Sequence, residues 1–383
     1  MTTPVVPRPE VRAYLDHASV SPLRPEVIAA LAQLLEVTQA DPGRPYAEAL
    51  VIRDLIEDAR RSVASLAGAT PRQIVFTSSI AESATTSVAG LALGGRVLAA
   101  RTERTSVLEA SARHGSLDVV DVSPSGHLNL EILEAGLQAH EATLACCQIA
   151  NHETGVLNDV EAVIELARRH GAAVHVDASI ALGHLPVDLG ALDADAITVA
   201  GELIGGPVGS AAIIVRKGRV LPPLIVGGSQ ERARRAGLES LLGIVGFGIA
   251  AEVLRPAGVV EAEQTRAIAH MGRIEAAMTA VDGVSAIGES DLVGRAGHLR
   301  SFTVEGVEAE PVLLGLDRAG ISVHSGSACA SESLEPSPVL DAMGIDAAQS
   351  LRVSVGWSTT DADVERLSAK FAGVVESLRA LRS

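Results

Sequence analysis

Residues 144–179 read LACCQIANHETGVLNDVEAVIELARRHGAAVHVDAS, and this stretch decides the fold. Two short apolar runs, 144–150 and 172–177, flank a helix-period segment long enough to carry the chain back over a sheet. The alternation continues outward on both sides. Segments 73–77 (QIVFT), 96–100, 117–121, 196–200 and 211–215 read as further strands, most of them separated by helical patterns. Strands that are apolar throughout and joined by helices predict a mostly parallel sheet covered on both faces. In such a sheet ligands sit at the carboxyl ends of the strands. The candidate site therefore follows Thr77, Ala100, Ala150, Val176 and Ala200.

Upstream, Pro25 opens an amphipathic stretch to about Val37, and a second helix over 46–66 stops at Gly68. SSIAES (78–83) opens a helix that Gly94 and Gly95 end. After Ala233 the texture changes. A helical run over 241–280 breaks near Pro256 and Gly258, strands at 298–304 and 350–355 surround a helix at 310–319, and 361–381 is helical. This pattern predicts a large domain over 12–255 and a smaller α+β C-terminal domain over 256–383, joined by an N-terminal arm, 1–11.

The 383 residues carry 31 Lys plus Arg against 47 Asp plus Glu, a net charge of −16. That balance argues against general nucleic-acid binding. With 47% hydrophobic and 20% charged residues the chain is not a disordered one. Cys146 and Cys147 are adjacent and only Cys329 joins them, which excludes a disulfide framework and points to a reducing compartment. The apolar run 241–254 is too short to cross a bilayer, and the N-terminus has no signal-type apolar core. A cytoplasmic protein without a membrane partner is expected. Only two of the basic residues are lysines, Lys217 and Lys370, a shortage that GC-rich coding explains in general.

Nine segments, in order, carry a resemblance. They are YLDHASVSP (14–22), TSSIAES (77–83), RTERTSVLE (101–109), ANHETGV (150–156), HVDASIALG (175–183), AGELIGGPVG (200–209), GGSQERARRAG (227–237), HSGSACASESLEPSPVL (324–340) and SLRVSVGWSTT (350–360). Over 14–381 the chain resembles the cysteine desulfurase family, class V aminotransferases of fold type I. The resemblance implies pyridoxal phosphate (PLP) held as a Schiff base on a lysine, which makes the imine and moves protons while the ring accepts electrons. It also implies a loop cysteine that takes the substrate sulfur as a persulfide, and a homodimer whose sites are built from both subunits.

Carried over residue by residue, the resemblance puts Leu203 at the lysine position and Glu202 at the histidine before it. Lys217 is no natural replacement. The phosphate-binding hydroxyls fall on Ala81, Ala200 and, for the residue reaching into the partner subunit, Leu238. The ring-stacking histidine falls on Arg104, the glutamine at the ring hydroxyl on Ile180, and the nearby asparagine on His152. Each lost phosphate hydrogen bond is worth about 1.5–3 kcal/mol, so the expectation is no cofactor, with PLP binding lost or weak and noncovalent. No metal is expected either. Three functional positions survive: Asp177 for the ring nitrogen, Arg352 for the substrate carboxylate, and Cys329 for the persulfide.

Each has a plainer alternative. Cys329 could be an inherited loop residue, Arg352 could pair with a local carboxylate, and Asp177 could cap neighbouring backbone. Cys146 and Cys147 read as core thiols, and His17, His175 and His324 as hydrogen-bonded structure. His152, Asp177, Glu202 and Arg104 converge either on a remodelled acid/base or metal pocket or on a salt-bridged plug in which Arg104 meets Glu202 or Asp177. Three functions follow. The first is a desulfurase-like protein without Schiff-base catalysis, carrying sulfur on Cys329 or supporting a PLP-competent paralogue or sulfur acceptor. The second is an enzyme with a cofactor-independent or metal-assisted pocket for an amino-acid-like carboxylate. The third is an active PLP desulfurase with noncovalent cofactor.

Overall fold

A computed structural model describes residues 12–37, 40–139, 141–291, 293–325 and 337–381. Its centre is a seven-stranded sheet in the order Ile74–Thr77, Ala211–Val215, Ala196–Ala200, Ala173–Asp177, Leu144–Gln148, Arg96–Ala100 and Ser116–Val120. All neighbours are parallel except Ala211–Val215, which runs against both of its own. The middle strands are buried at every position, as apolar runs in a doubly covered sheet must be. Ser116–Val120, the edge strand, is mostly accessible.

Alternation along Leu144–Gln148 sends adjacent cysteines to opposite faces. Cys147 joins the apolar cluster with Val163, Ile164, Ile52 and Phe247, and Cys146 the cluster with Val88, Val97 and Val107. Both thiols are core, and burial pushes each well above its ordinary pKa. Helix Leu241–Leu254 is apolar all round because it lies inside the protein. Its Gly248 brings it against helix Ala47–Leu66 so closely that a β-carbon would lie 2.4 Å from the Ala59 Cα. No single helix among the described residues is long and apolar enough to cross a membrane.

A second sheet, fully antiparallel, has the order His324–Ser325, Ser350–Ser354, Leu299–Val304 and Val284–Ala286. Its apolar face and helices Val259–Thr279, Ala309–Arg318 and Asp361–Ala380 share a separate cluster around Phe302, Leu316 and Phe371. Ala13–Tyr14 pairs in parallel with Ile321–Ser322 and so ties the start of the described chain to this half. The expected α/β architecture of fold type I is the one found.

A polar cleft beside an apolar plug

The carboxyl ends of Arg96–Ala100, Leu144–Gln148, Ala173–Asp177 and Ala196–Ala200 lie side by side, since all four run in parallel. Asp177 ends the third of them, 3% exposed. One of its oxygens accepts the Ser179 N–H at 2.8 Å and the other accepts Nε of Arg104 at 2.8 Å. Arg104 spends a second donor on the Ser179 hydroxyl, 3.0 Å away. Of the two pairings open to Arg104, the one with Asp177 forms. The backbone carrying Arg104 is fixed: Gln148 and Asn151 donate their side-chain amides to the Thr102 carbonyl at 2.6 and 3.1 Å.

Around this pair stand groups without partners. Glu103 is wholly buried, and neither of its carboxyl oxygens has a hydrogen-bond partner among the described residues. Burial, helped by the nearby charge of Asp177, raises its pKa well above the ordinary value. Glu202 leaves its Oε2 buried and unpartnered and is raised by burial, with Arg104 pulling the other way. His152 keeps Nδ1 unpartnered, and burial, then the charges of Arg104 and Arg352, push its pKa well down. Arg104 thus acts electrostatically on Glu103, Glu202 and His152 together.

Arg352 closes the other side from strand Ser350–Ser354. It donates to the His152 carbonyl and to Asp16, each at 2.9 Å, and to the Ser19 hydroxyl at 2.6 Å, while its Nε is buried without a partner. The local carboxylate is Asp16, which sequence reading passed over because 336 positions separate the two.

Leu203 lies in a different environment. It is 2% exposed and packs with Ala18, Ala150, Ile180, Ala200, Ala211, Ala296 and Leu299. Thus Ile180, Ala200 and Leu203 share one apolar plug, and its backbone is held by His184 Nε2 against the Leu203 carbonyl at 2.9 Å. Neither lysine is near. Lys217 follows the end of Ala211–Val215, whose start pairs with Ala200 and whose end pairs with Ala196, so it lies beyond the opposite end of the strands. Lys370 is exposed on helix Asp361–Ala380. Ala81 sits in the first turn of helix Ile80–Ala92, Leu238 is 63% exposed, and Cys329 lies outside the described residues.

Three other histidines near these segments are hydrogen-bonded. His17 reaches Ser21 and Thr359, His175 reaches Thr198, and His324 accepts the Ser325 N–H. Among the described residues no group of three His, Cys, Asp or Glu could hold a metal ion, so the metal-assisted pocket lacks a ligand set there.

The aminotransferase class-V family matches residues 13–367. Cysteine desulfurase IscS 1 of Archaeoglobus fulgidus is 33% identical over 96% of this chain and 98% of its own length. The chain belongs to the cysteine desulfurase family. An IscS-like cysteine desulfurase of Mycobacterium tuberculosis is 32% identical over 96% of this desulfurase-family chain and 97% of its own. A NifS-like protein from Rickettsia africae superposes with a TM-score of 0.87 at 27% identity, over 96% and 100% of the two chains.

This membership corrects one expectation. The chain was expected to hold no cofactor, with PLP binding lost; it belongs instead to a family whose chemistry rests on PLP. The expectation rested on three lost phosphate hydroxyls, whereas the family membership rests on the match of the whole chain, residues 13–367. Two groups that the cofactor and an amino-acid substrate would need are present, Asp177 as a buried carboxylate that is paired here with Arg104, and Arg352 with an orphaned Nε, but Ala81, Ala200 and Leu238 supply no hydroxyl for a phosphate. What the desulfurase-family cleft does not offer, among the described residues, is an amine.

Proposed function

We propose that this desulfurase-family protein works in sulfur transfer without a lysine-bound cofactor, carrying sulfur on Cys329. The observation that carries the reading is Leu203, buried in an apolar plug with both lysines of the chain far from it. When bound, PLP supplies an electron sink to substrate carbons. Asp177 would face its ring nitrogen and Arg352 the carboxylate of an amino acid, while the apolar residues around Leu203 exclude water from that side.

The sulfur step needs no oxidant. The Cys329 thiolate attacks the outer sulfur of a donor persulfide, the donor's S–S bond breaks, and the donor leaves as a thiolate while Cys329 becomes the persulfide. The described residues on either side of Cys329 are anchored. His324 pairs with Arg352 across the small sheet, and Ser337, at the far end, donates to the buried Glu153 at 2.6 Å. A homodimer belongs to the same reading, and the exposed apolar Val220, Val226 and Leu238 on one stretch of chain support it.

The test is to incubate the purified chain with a small-molecule persulfide and read its intact mass. One added sulfur, absent from Cys329→Ala, is expected. Light scattering should give twice the chain mass. An unlabelled wild-type chain that instead raises the activity of a lysine-bearing desulfurase would replace the carrier with the partner role. Stoichiometric fixation of PLP on one residue of the wild-type chain by borohydride reduction of an imine would sink the reading outright.

A further inference from the structure

Three histidines stand behind the apolar plug, and each is tied to it. His184 donates Nε2 to the Leu203 carbonyl at 2.9 Å. His17 meets the Ser21 hydroxyl at 2.9 Å, and the Ser21 N–H donates to the carbonyl of Glu202, one residue before Leu203, at 2.8 Å. His298 precedes Leu299, a member of the plug, and its ring lies parallel to that of His184, with centroids 4.2 Å apart and 12° between the planes. It is 3% exposed, and neither of its nitrogens has a partner among the described residues. Three segments far apart in sequence thus meet through imidazoles. The arrangement suits neutral rings only, because two imidazolium ions 4.2 Å apart repel strongly where water is excluded. The charged side chains acting on the rings are Arg24 and Glu263. Arg24 gives Glu263 two donors, at 2.9 and 2.8 Å, so that carboxylate is not free to pair with an imidazolium. Burial accordingly holds all three rings below the ordinary imidazole range, His17 at about 3.

We propose that His17, His184 and His298 form an acid latch on the plug, closed while the three rings are neutral and opened when protons enter the stack, which parts the Glu202–Leu203 segment from Leu299 and its strand. The sign follows from linkage. Rings freed by opening protonate near pH 6.5, whereas rings in the closed stack stay neutral to lower pH. Closure is therefore complete above about pH 6.5 and is lost as pH falls, with up to three protons entering together. The latch goes beyond the sulfur-carrier reading and does not depend on it.

Trp357 reports the latch: its indole N–H donates to the Pro22 carbonyl at 2.9 Å, and it follows Gly356, where a β-carbon would lie 2.2 Å from Nδ1 of His17. The full chain is titrated from about pH 7.5 to about pH 4 while tryptophan emission, binding of a naphthalene-sulfonate dye and far-UV circular dichroism are read together. In the wild type a reversible emission shift is expected with dye uptake and an unchanged far-UV signal. His298→Phe keeps a stacked ring and removes no hydrogen bond, since neither nitrogen makes one. It is expected to lower the midpoint by about half a pH unit or more and to make the transition shallower. His298→Leu makes the same test if the Phe variant does not fold. His175, also buried but bonded to Thr198 within the large sheet, is the control, and His175→Gln should leave the midpoint in place. Emission unchanged down to about pH 4, far-UV signal lost in step with emission, a wild-type midpoint in the His298 variant, or an equal shift from His175→Gln would each overturn the proposal. None of these readings involves Cys329, so the persulfide experiment stands or falls on its own.

Discussion

Two arginines are held against the same sheet by buried acids, and they are finished to different degrees. Arg60, on helix Ala47–Leu66, gives two donors to Glu231 at 2.7 Å each, one to Glu57 at 2.9 Å and one to the Ile74 carbonyl, and stacks 4.8 Å from the Phe76 ring. Glu231 also accepts the Phe76 N–H at 2.9 Å. Around Arg104, by contrast, Glu103, Glu202 and His152 keep orphaned atoms. Buried polar groups in native proteins are normally paired. The Arg60–Glu231 pair is itself complete, although Gln230 and Glu239 beside it each keep one buried oxygen without a partner, whereas around Arg104 three groups are left open.

The Arg60 site has a further task. Glu231, Arg232 and Ala233 all have positive φ, at 46°, 60° and 62°, in a stretch without glycine at those positions. Each such residue costs on the order of 1 kcal/mol or more, and persists only where surroundings fix it. The bidentate pair to Arg60 is what fixes it. Glu231→Gln should therefore lose about 3–5 kcal/mol, because it strands a buried guanidinium and releases the strained turn. Urea and thermal unfolding measure this; a change under about 1 kcal/mol would show that the two sites are not different in kind.

Acid should act on the other side of the comparison. Burial lowers His17 to about 3 and His175 to about 4, and lowers His184, His152 and His298 as well. His184 and His298 stack at 4.2 Å, and His298 has no partner for either nitrogen among the described residues. His17 feels the charge of Arg24 as well as His184, and Glu263 and Arg24 act on His184. Since the folded chain keeps these rings neutral and the unfolded chain protonates them, stability is complete above about pH 6.5 and falls as pH drops toward the folded values. Each ring contributes a slope of about 1.4 kcal/mol per pH unit within its own window. Trp357, the one tryptophan, donates to the Pro22 carbonyl under Arg24 beside His17, so its emission reports this junction. Emission should shift between pH 6 and 4, while amide exchange around Arg60 and Glu231 stays slow. Simultaneous loss of both would merge the two regions into one cooperative unit.

How far the sequence announces all this depends on the range of the interaction. The parallel strands are legible because burial on both faces forces uninterrupted apolar runs such as AITVA and AAIIV, and the breaks at Pro256 and Gly258 are local backbone chemistry. Strands of two or three residues, such as His324–Ser325 and Val284–Ala286, are too short to show a period and form by pairing with distant partners. The cleft residues Asp177, Arg104, Glu202, His152 and Arg352 were reached through the resemblance, whereas Asp16 and Glu103 were not. Asp16 matters only because Arg352 folds onto it. Glu103 beside Arg104 has the look of an ordinary surface pair, and nothing local says that its partner is spent on Asp177.

The smallest expected effect separates the two sites most sharply, because it applies one substitution to both and asks for opposite signs. Glu103 is raised by burial, so the folded chain keeps its proton at pH values where the unfolded chain has lost it. The sign follows from linkage: its contribution is intact below about pH 4.5 and declines as pH rises toward the folded value. Glutamine is neutral at every pH and nearly the same shape. Glu103→Gln should match wild type near pH 4.5 and become the more stable protein at neutral pH, by an amount that grows with pH. Infrared spectra should show a protonated carboxyl band at neutral pH that this variant lacks. Destabilisation at neutral pH on the scale of Glu231→Gln would mean that Glu103 is an ionised, paired group, and the distinction between a finished and an unfinished arginine site would fall with it.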